Sequence, residues 1–192
     1  MILSNKTKFF SSILFVLLST FQIGSAATDF TLGEIKSKLS QSGSYRFVYR
    51  MFFKLYDANL YTDAGKVADI DKLFNGENTV LLKFSYLRKI NKSIILESSE
   101  KILANSMTPV ELASIKKRVD RINAAYRTVT RGDRSALSYV PGKGTTLWIN
   151  GERKITIEGD DFARLYFRIW LGERPISKQM RDELLKGVFD KR

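Results

Sequence analysis

The sequence predicts an α+β domain in which helices gather on one face of a mainly antiparallel sheet. Apolar and polar residues alternate with period two in several segments, as in half-buried strands. Apolar residues recur at helical spacing in the middle and near the end of the chain. The order is strands, two central helices, strands and two terminal helices, which is typical of α+β folds rather than of repeated βαβ units.

The composition excludes several kinds of site. The 192 residues include no Cys and no His, and 32 Lys and Arg against 20 Asp and Glu give a net charge of +12. Disulfides, thiolate nucleophiles, Ser-His-Asp triads and the usual zinc sites are therefore excluded. Because no acidic cluster has the spacing of a metal site, we expect neither metal nor cofactor, and any catalysis must use Tyr, Lys, Arg, Asp, Glu, Ser or Thr.

The N-terminal segment has the features of a secretory signal peptide. Two lysines precede an uncharged, mostly apolar run at 9–23, and four small residues follow it. We expect cleavage after Ala26 or Ala27, so that residues 1–27 are the signal peptide and 28–192 form one exported domain, periplasmic or secreted. The alternative is an uncleaved membrane anchor, for which this run is short.

The first predicted strand begins at Tyr45. Aromatic and aliphatic side chains alternate as far as Leu55, and the opposite face carries Arg46, Arg50 and Lys54. The alternation then inverts, so a bulge or a break is predicted within the last four residues of this segment.

A second strand is predicted at Thr79–Tyr86, and a helix follows in the middle of the chain. Thr108 and Glu111 form a capping box with Pro109 at the first helical position, and an apolar stripe extends to Tyr126. The polar side of this helix is basic. It is either a docking face for an anionic surface or an ordinary solvated face.

The last third of the chain contains three predicted strands, Ser135–Val140, Thr145–Ile149 and Arg153–Ile157. Asn150 and Gly151 predict a two-residue hairpin between the last two. An apolar helical stripe at 162–170 predicts a helix capped by Asp160, and a final helix is predicted at Ser177–Lys186.

Two features of the sequence favour ligand binding. Arg46 and Arg50 lie four residues apart on one predicted face, about 13 Å along a strand, and the planar guanidinium of Arg suits a carboxylate. The alternative is ordinary solvent-facing charge. The 8 Tyr and 13 Phe residues indicate either an apolar cavity with orienting hydroxyls or, for side chains such as Tyr166 and Trp170, simply the core.

Three segments carry a resemblance to a known family, and they are Leu55–Tyr61, the turn from Gly132-Asp133 to Tyr139–Thr145, and Trp170–Ser177. In this order and spacing they resemble the chalcone isomerase-like family, specifically its exported bacterial branch, over residues 43–187. The resemblance implies an open-faced β-sandwich, a large antiparallel sheet with helices over one face.

The resemblance also implies where a ligand would lie. The plant enzymes of the family close chalcones in the cleft between sheet and helices with Arg, Thr, Tyr, Asn and Ser or Thr side chains, and non-catalytic relatives hold fatty acids there. In this sequence Tyr56 falls at the strand Thr, Leu112 and Val119 match the Tyr and Asn, and Ile169 falls at the late Ser or Thr. Such replacements should remove catalysis and leave binding.

We therefore expect a non-catalytic binder of a small apolar carboxylate, such as a fatty acid, with Arg46, Arg50, Tyr56 and Tyr166 as ligand-binding residues. One alternative is an isomerase or intramolecular lyase that uses Tyr56 or Lys54 as acid or base. Another is an envelope interaction protein whose basic helix docks on an anionic membrane surface. No nucleic-acid partner is expected.

Overall fold

The fold is built on one six-stranded antiparallel sheet. The computed structural model describes residues 30–50 and 52–189, so the predicted signal peptide 1–27 lies outside it. The strands are β1 (Ser40–Tyr49), β2 (Phe53–Thr62), β3 (Val80–Tyr86), β4 (Arg134–Val140), β5 (Gly144–Ile149) and β6 (Glu152–Ile157). Each strand pairs with its neighbour in sequence, in the order β1 to β6. The predicted antiparallel sheet is confirmed.

The long strand predicted to end at Leu55 is in fact a hairpin, so that prediction is wrong. The chain reverses between Tyr49 and Phe53, and Arg50 after β1 has a φ of 47°. Tyr49 pairs with Phe53 across the turn. The bulge or break predicted at Phe52–Leu55 is confirmed as a bulge at Leu55, and the turn between β1 and β2 lies just before it.

A bulge accompanies the turn. Phe47 pairs with Tyr56, but the next residue, Val48, pairs with Lys54, which leaves Leu55 as the extra residue of β2. One extra residue moves all the following side chains to the other face of a strand. The turn and the bulge together explain why the alternation inverts.

Helices cover both faces of the sheet unequally. They are α1 (Leu32–Ser37), α2 (Lys92–Ser106), α3 (Pro109–Ala125), α4 (Asp160–Tyr166), α5 (Arg168–Leu171) and α6 (Lys178–Leu184), with a short 3-10 helix at Ile70–Phe74. The main core joins α2 to α6 to one face, as predicted. The unpredicted α1 packs Ile35 on the opposite face, against Leu81 and Trp148. No helix in the described residues is long and apolar enough to cross a membrane.

Two local predictions are confirmed in detail. The Glu111 backbone amide donates to Oγ1 of Thr108 at 3.2 Å, and the Thr108 amide donates to Oε2 of Glu111 at 2.9 Å. This capping box satisfies amides that the first turn of α3 would otherwise leave unpaired. Asn150 and Gly151 have φ values of 53° and 86° and connect β5 to β6. The positive φ of both residues is what a type I′ hairpin requires.

The terminal helices differ from the prediction in two ways. The cap of α4 is Gly159, with a φ of 101°, and Asp160 is the first residue of the helix, so the Asp160 cap is wrong. Glycine takes this backbone conformation without strain, which explains why the turn occurs one residue earlier. The single helix predicted through residue 170 is two short helices, α4 and α5, which meet at Phe167.

The last helix packs against the first strand. Gly187 donates its amide to the Ser42 carbonyl at 3.0 Å, and the Tyr45 hydroxyl donates to Oε1 of Gln179 at 2.9 Å. A Cβ at Gly43 would collide with backbone carbonyl oxygens at the end of α6. Only glycine therefore permits this close approach between β1 and α6.

Candidate functional site

A group of aromatic side chains fills the space between the early strands and the helices. This aromatic cluster consists of Phe47, Tyr56, Phe84, Tyr86, Tyr126, Tyr166 and Trp170. The ring of Phe47 stacks on Tyr56, with centroids 5.1 Å apart, and Tyr56 meets Phe84 edge-on at 5.4 Å. Tyr166 meets Trp170 edge-on at 5.9 Å. Rings thus pack the region where the resemblance places a ligand cleft.

The tyrosine hydroxyls of the cluster are held in their neutral form. Burial raises the pKa of Tyr56, Tyr126 and Tyr166, and neighbouring tyrosines add to the effect for Tyr56 and Tyr126. For Tyr166 the hydrogen bond with Tyr126 opposes the rise in pKa. Burial also raises the pKa of Tyr86, although its hydrogen bond to Ser135 opposes that shift. At neutral pH these groups can therefore donate hydrogen bonds to a ligand oxygen but cannot act as bases.

The two candidate acid–base residues lie in different environments. Tyr56 is buried on the helix side, whereas Lys54 is exposed beyond the bulge at Leu55. A general acid and a general base must both reach the reacting group. Tyr56 and Lys54 do not form a buried pair of this kind.

An open depression of about 290 Å³ lies at the hairpin end of the sheet. This basic depression is lined by Arg46, Phe52, Lys54, Leu87, Arg88 and Arg131. Its lining includes no side chain of the aromatic cluster. The two features are linked through the backbone, because Leu87 directly follows Tyr86 and donates its amide to the Leu55 carbonyl at 2.8 Å. The depression therefore combines four cationic side chains with apolar surface, as the head and the start of the chain of an apolar carboxylate require.

Only one of the four cations in the depression is ion-paired. Arg46 donates two hydrogen bonds to the carboxylate of Asp57, at 2.6 and 2.9 Å, which lowers the pKa of Asp57 and raises that of Arg46. The described part of the chain offers no ion-pair partner to Lys54, Arg88 or Arg131. The depression is consequently positive and favours an anion.

A second open depression on the surface, of about 300 Å³, is less suited to an anion. It lies where α2 meets α3, and its charged lining comprises Glu111, Glu173 and Arg174. Two acidic groups against one basic group would repel a carboxylate. In residues 30–50 and 52–189 no cluster of three or more acidic side chains has the arrangement of a metal site.

The predicted ligand residues do not converge on one strand face. Arg46 projects from β1, but Arg50 lies in the turn and donates Nε to the Tyr49 hydroxyl at 3.2 Å. The shared face predicted for the two arginines is therefore wrong. Tyr166 is only 1% exposed, within the aromatic cluster. That any of these residues contacts a ligand remains a prediction.

Sequence reasoning missed Arg88 and Arg131. Both lie in loops, one after β3 and the other before β4, and they meet only because these strands are adjacent. The available signal was the basic pair Arg88-Lys89 shortly after the predicted strand end at Tyr86. Loops at strand ends often carry binding residues.

The basic face of α3 carries less free charge than its sequence indicates. Lys116 bonds Asp120 at 2.7 Å on the same helix, and Arg118 forms a bidentate pair with Asp161 of α4. Arg121 is exposed and unpaired within the part of the chain that the structure describes. The face is a mixed, solvated surface in which two of the cations are neutralised.

The chain is similar to known proteins in both sequence and fold. A family model described as chalcone isomerase-like matches residues 27–186. The structure is similar to the crystal structure of a fatty-acid binding protein from Arabidopsis thaliana, with a TM-score of 0.60 and 13% identity over 78% of this chain and 87% of that chain. No curated protein matches the sequence. At 13% identity the structural likeness establishes the fold.

Proposed function

The chain belongs to the chalcone isomerase-like family, and from this premise we propose that it is an exported, non-catalytic binder of a fatty-acid-like carboxylate. The observation that carries the proposal is the basic depression at the hairpin end of the sheet. The similar structure from Arabidopsis thaliana is that of a fatty-acid binding protein, which adds support.

The depression holds the carboxylate in this proposal. Arg88 offers an unpaired guanidinium, and its Cζ lies 4.9 Å from the centre of the Phe53 ring, which orients the side chain. Lys54 and Arg131 add positive charge. Arg46 can contribute fully only if the ligand carboxylate displaces Asp57 from it.

The aromatic cluster accommodates the apolar chain. Within the cluster, Tyr56 directly follows Leu55 and Tyr86 directly precedes Leu87, the two residues joined by a backbone hydrogen bond beside the depression. Because the space is packed with rings, entry of a chain requires the half-buried Phe47 at the edge strand to move. Separating apolar side chains costs free energy, and this cost is offset when an acyl chain buries a similar apolar area in their place.

The positions matched to the family's catalytic groups favour binding over catalysis. Leu112 is half-buried and Val119 and Ile169 are buried, and all three pack in the apolar core. None of them can polarise a carbonyl or hold an attacking oxyanion. Tyr56, at the remaining matched position, is neutral because burial raises its pKa.

Export remains a proposal that rests on the sequence. The family match begins at residue 27, next to the predicted cleavage site. The domain also contains no Cys, so its folding is independent of the redox state of its compartment.

Native mass spectrometry of the protein purified from its own host tests the proposed ligand class. We expect an added mass of a few hundred daltons that denaturation releases as a fatty acid or a related carboxylate. Delipidated protein should then bind a fluorescent long-chain fatty acid in saturable fashion and should release it to an unlabelled one. If purified and delipidated protein both show no binding of such acids, the proposed function is wrong.

A further inference from the structure

The β1–β2 hairpin ends in an exposed, aromatic and basic tip. The tip comprises Tyr49, Arg50, Phe52 and Phe53, and the three aromatic side chains are 49%, 79% and 43% exposed. They are the exposed large aromatic residues of the described chain. A cluster of such side chains on one surface feature normally marks an interaction site.

The tip extends beyond the rest of the sheet. The last pair between β2 and β3 joins Tyr56 to Tyr86, whereas the final two pairs of the hairpin, at Lys54 and Phe53, involve β1 alone. Leu87 still donates its amide to the Leu55 carbonyl, so at 3.3 Å per residue the tip projects about 7 Å past this last contact. Its aromatic side chains can therefore reach a flat surface without obstruction from β3.

Positive charge surrounds the tip. Residues 44–56 and 87–92 contain six basic side chains and no acidic one, and the six are Arg46, Arg50, Lys54, Arg88, Lys89 and Lys92. The nearest acid, Asp57, is bonded to Arg46. Arg50 itself has a φ of 47°, a conformation that Gly or Asn adopts with less strain. The turn thus places a cation where simple turn chemistry favours an uncharged residue.

We propose that the hairpin tip docks on an anionic lipid bilayer. Aromatic rings are favoured at the boundary between headgroups and acyl chains, and lysine and arginine are attracted to the negative surface of anionic membranes. The exposed rings lie beside Arg50, Lys54 and Arg88, which have no ion-pair partner among the described residues, and this pattern matches both requirements. This docking differs from the α3 surface, whose cations are partly paired. It goes beyond the proposed fatty-acid binding and does not depend on it, although Phe52 of the tip also lines the basic depression.

Sedimentation with lipid vesicles tests the docking. Protein 28–192, free of bound lipid, is mixed with vesicles of phosphatidylglycerol and phosphatidylcholine or of phosphatidylcholine alone. We expect binding to the anionic vesicles, loss of binding as salt is raised, and little binding to the neutral vesicles. Equal binding to both vesicle types, or none to either, would overturn the proposal.

Variants separate insertion from simple charge attraction. Phe52→Ser should weaken binding to anionic vesicles about tenfold, because an inserted ring is lost, and Arg50→Ala about fivefold. The matched control is Val110→Ser, since Val110 on α3 is also 79% exposed, and Arg121→Ala is the charge control. Both controls should bind as the wild type does.

Two patterns of variant binding would overturn the proposed docking of the hairpin tip. If Arg50→Ala weakens binding but Phe52→Ser does not, the tip attracts soluble polyanions rather than a bilayer, and the proposal is wrong. If Val110→Ser weakens binding as much as Phe52→Ser, the tip is not the docking surface. Titration of each variant with a soluble fatty acid, in the absence of vesicles, is a separate readout, so failure of docking and failure of fatty-acid binding are distinguished.

Discussion

Replacing Arg88 by Ala should weaken fatty-acid binding about five- to tenfold. A hydrogen bond to a charged group contributes about 1.5–3 kcal/mol. Arg88 is exposed and the depression is open, so solvent screening reduces the contribution to about 1–1.4 kcal/mol. That free energy corresponds to a change of about five- to tenfold in Kd.

The assay compares an acid with an alcohol of the same chain length. Both compete with a fluorescent fatty acid, and Arg88→Ala should weaken the acid but leave the alcohol nearly unchanged, because only the acid carries the charge that Arg88 binds. Arg88→Lys should recover part of the affinity, since an ammonium retains the charge but not the planar fork. Arg121→Ala on α3 is the matched control. Equal losses of affinity for acid and alcohol, or no loss for either, would refute the proposal that Arg88 binds the ligand carboxylate.

Variants of the Arg46–Asp57 ion pair test the same carboxylate binding in a second way. Asp57→Asn frees the Arg46 guanidinium and removes a negative charge beside the depression, so fatty-acid affinity should rise several-fold. Arg46→Ala leaves Asp57 unpaired and should lower the affinity. If Arg46→Ala and Arg50→Ala both bind fatty acid as the wild type does, the prediction that these two arginines bind the ligand carboxylate is wrong.

Three further predictions concern stability, catalysis and processing. Asp133→Asn should lower the free energy of unfolding by about 2 kcal/mol, because the carboxylate accepts hydrogen bonds from Arg127, Asn150 and the Thr130 amide. These bonds hold the pKa of Asp133 below its usual value, so urea unfolding should show the deficit at neutral pH and a smaller one as acid protonates the wild type; a deficit that is equal at both pH values would contradict the cause. The protein should not convert chalcone to flavanone above the buffer rate, as measured by absorbance, and an enantioselective conversion would show that the residue matching is wrong. The N-terminus of the exported protein should be residue 27 or 28 by N-terminal sequencing, and a membrane-bound product that retains Met1 would contradict processing.

The late hairpin and the central helix were predictable because their signals are local. Asn150 and Gly151 occupy the positions that need positive φ, and Thr108 and Glu111 satisfy each other's backbone amides within four residues. Such features depend on neighbours in sequence and do not require knowledge of the fold.

The early hairpin was missed because it lacks turn chemistry. The segment around Arg50 contains no Gly, Pro, Asn or Asp, and Phe52 and Phe53 continue the apolar alternation of the strand. A helix such as α2 was also difficult to place, since Ser99 and Leu103 are its only fully buried residues. A weak apolar stripe gives a weak helical signal.

The candidate site could be predicted only in part. Arg46 was identified because it lies on a strand with a clear apolar–polar alternation. Its pairing with Asp57 depends on the register of β1 against β2, which is determined by a turn that the sequence pattern does not indicate. Arg88 and Arg131 come from loops more than forty residues apart, and only the adjacency of β3 and β4 brings them together. Pattern reading along the chain cannot detect residues that meet through strand order.

The contact between β1 and α6 constrains the order in which the domain can form. Five of the six strands can pair as they leave the ribosome, because each needs only its predecessor. The edge strand β1 is different. The contacts of Ser42 and Gly43 with the end of α6 and with Gly187 can form only after residues beyond 180 have been made. The earliest part of the sheet is therefore completed by the latest part of the chain. The native fold is therefore complete only after the last helix of the domain has been made.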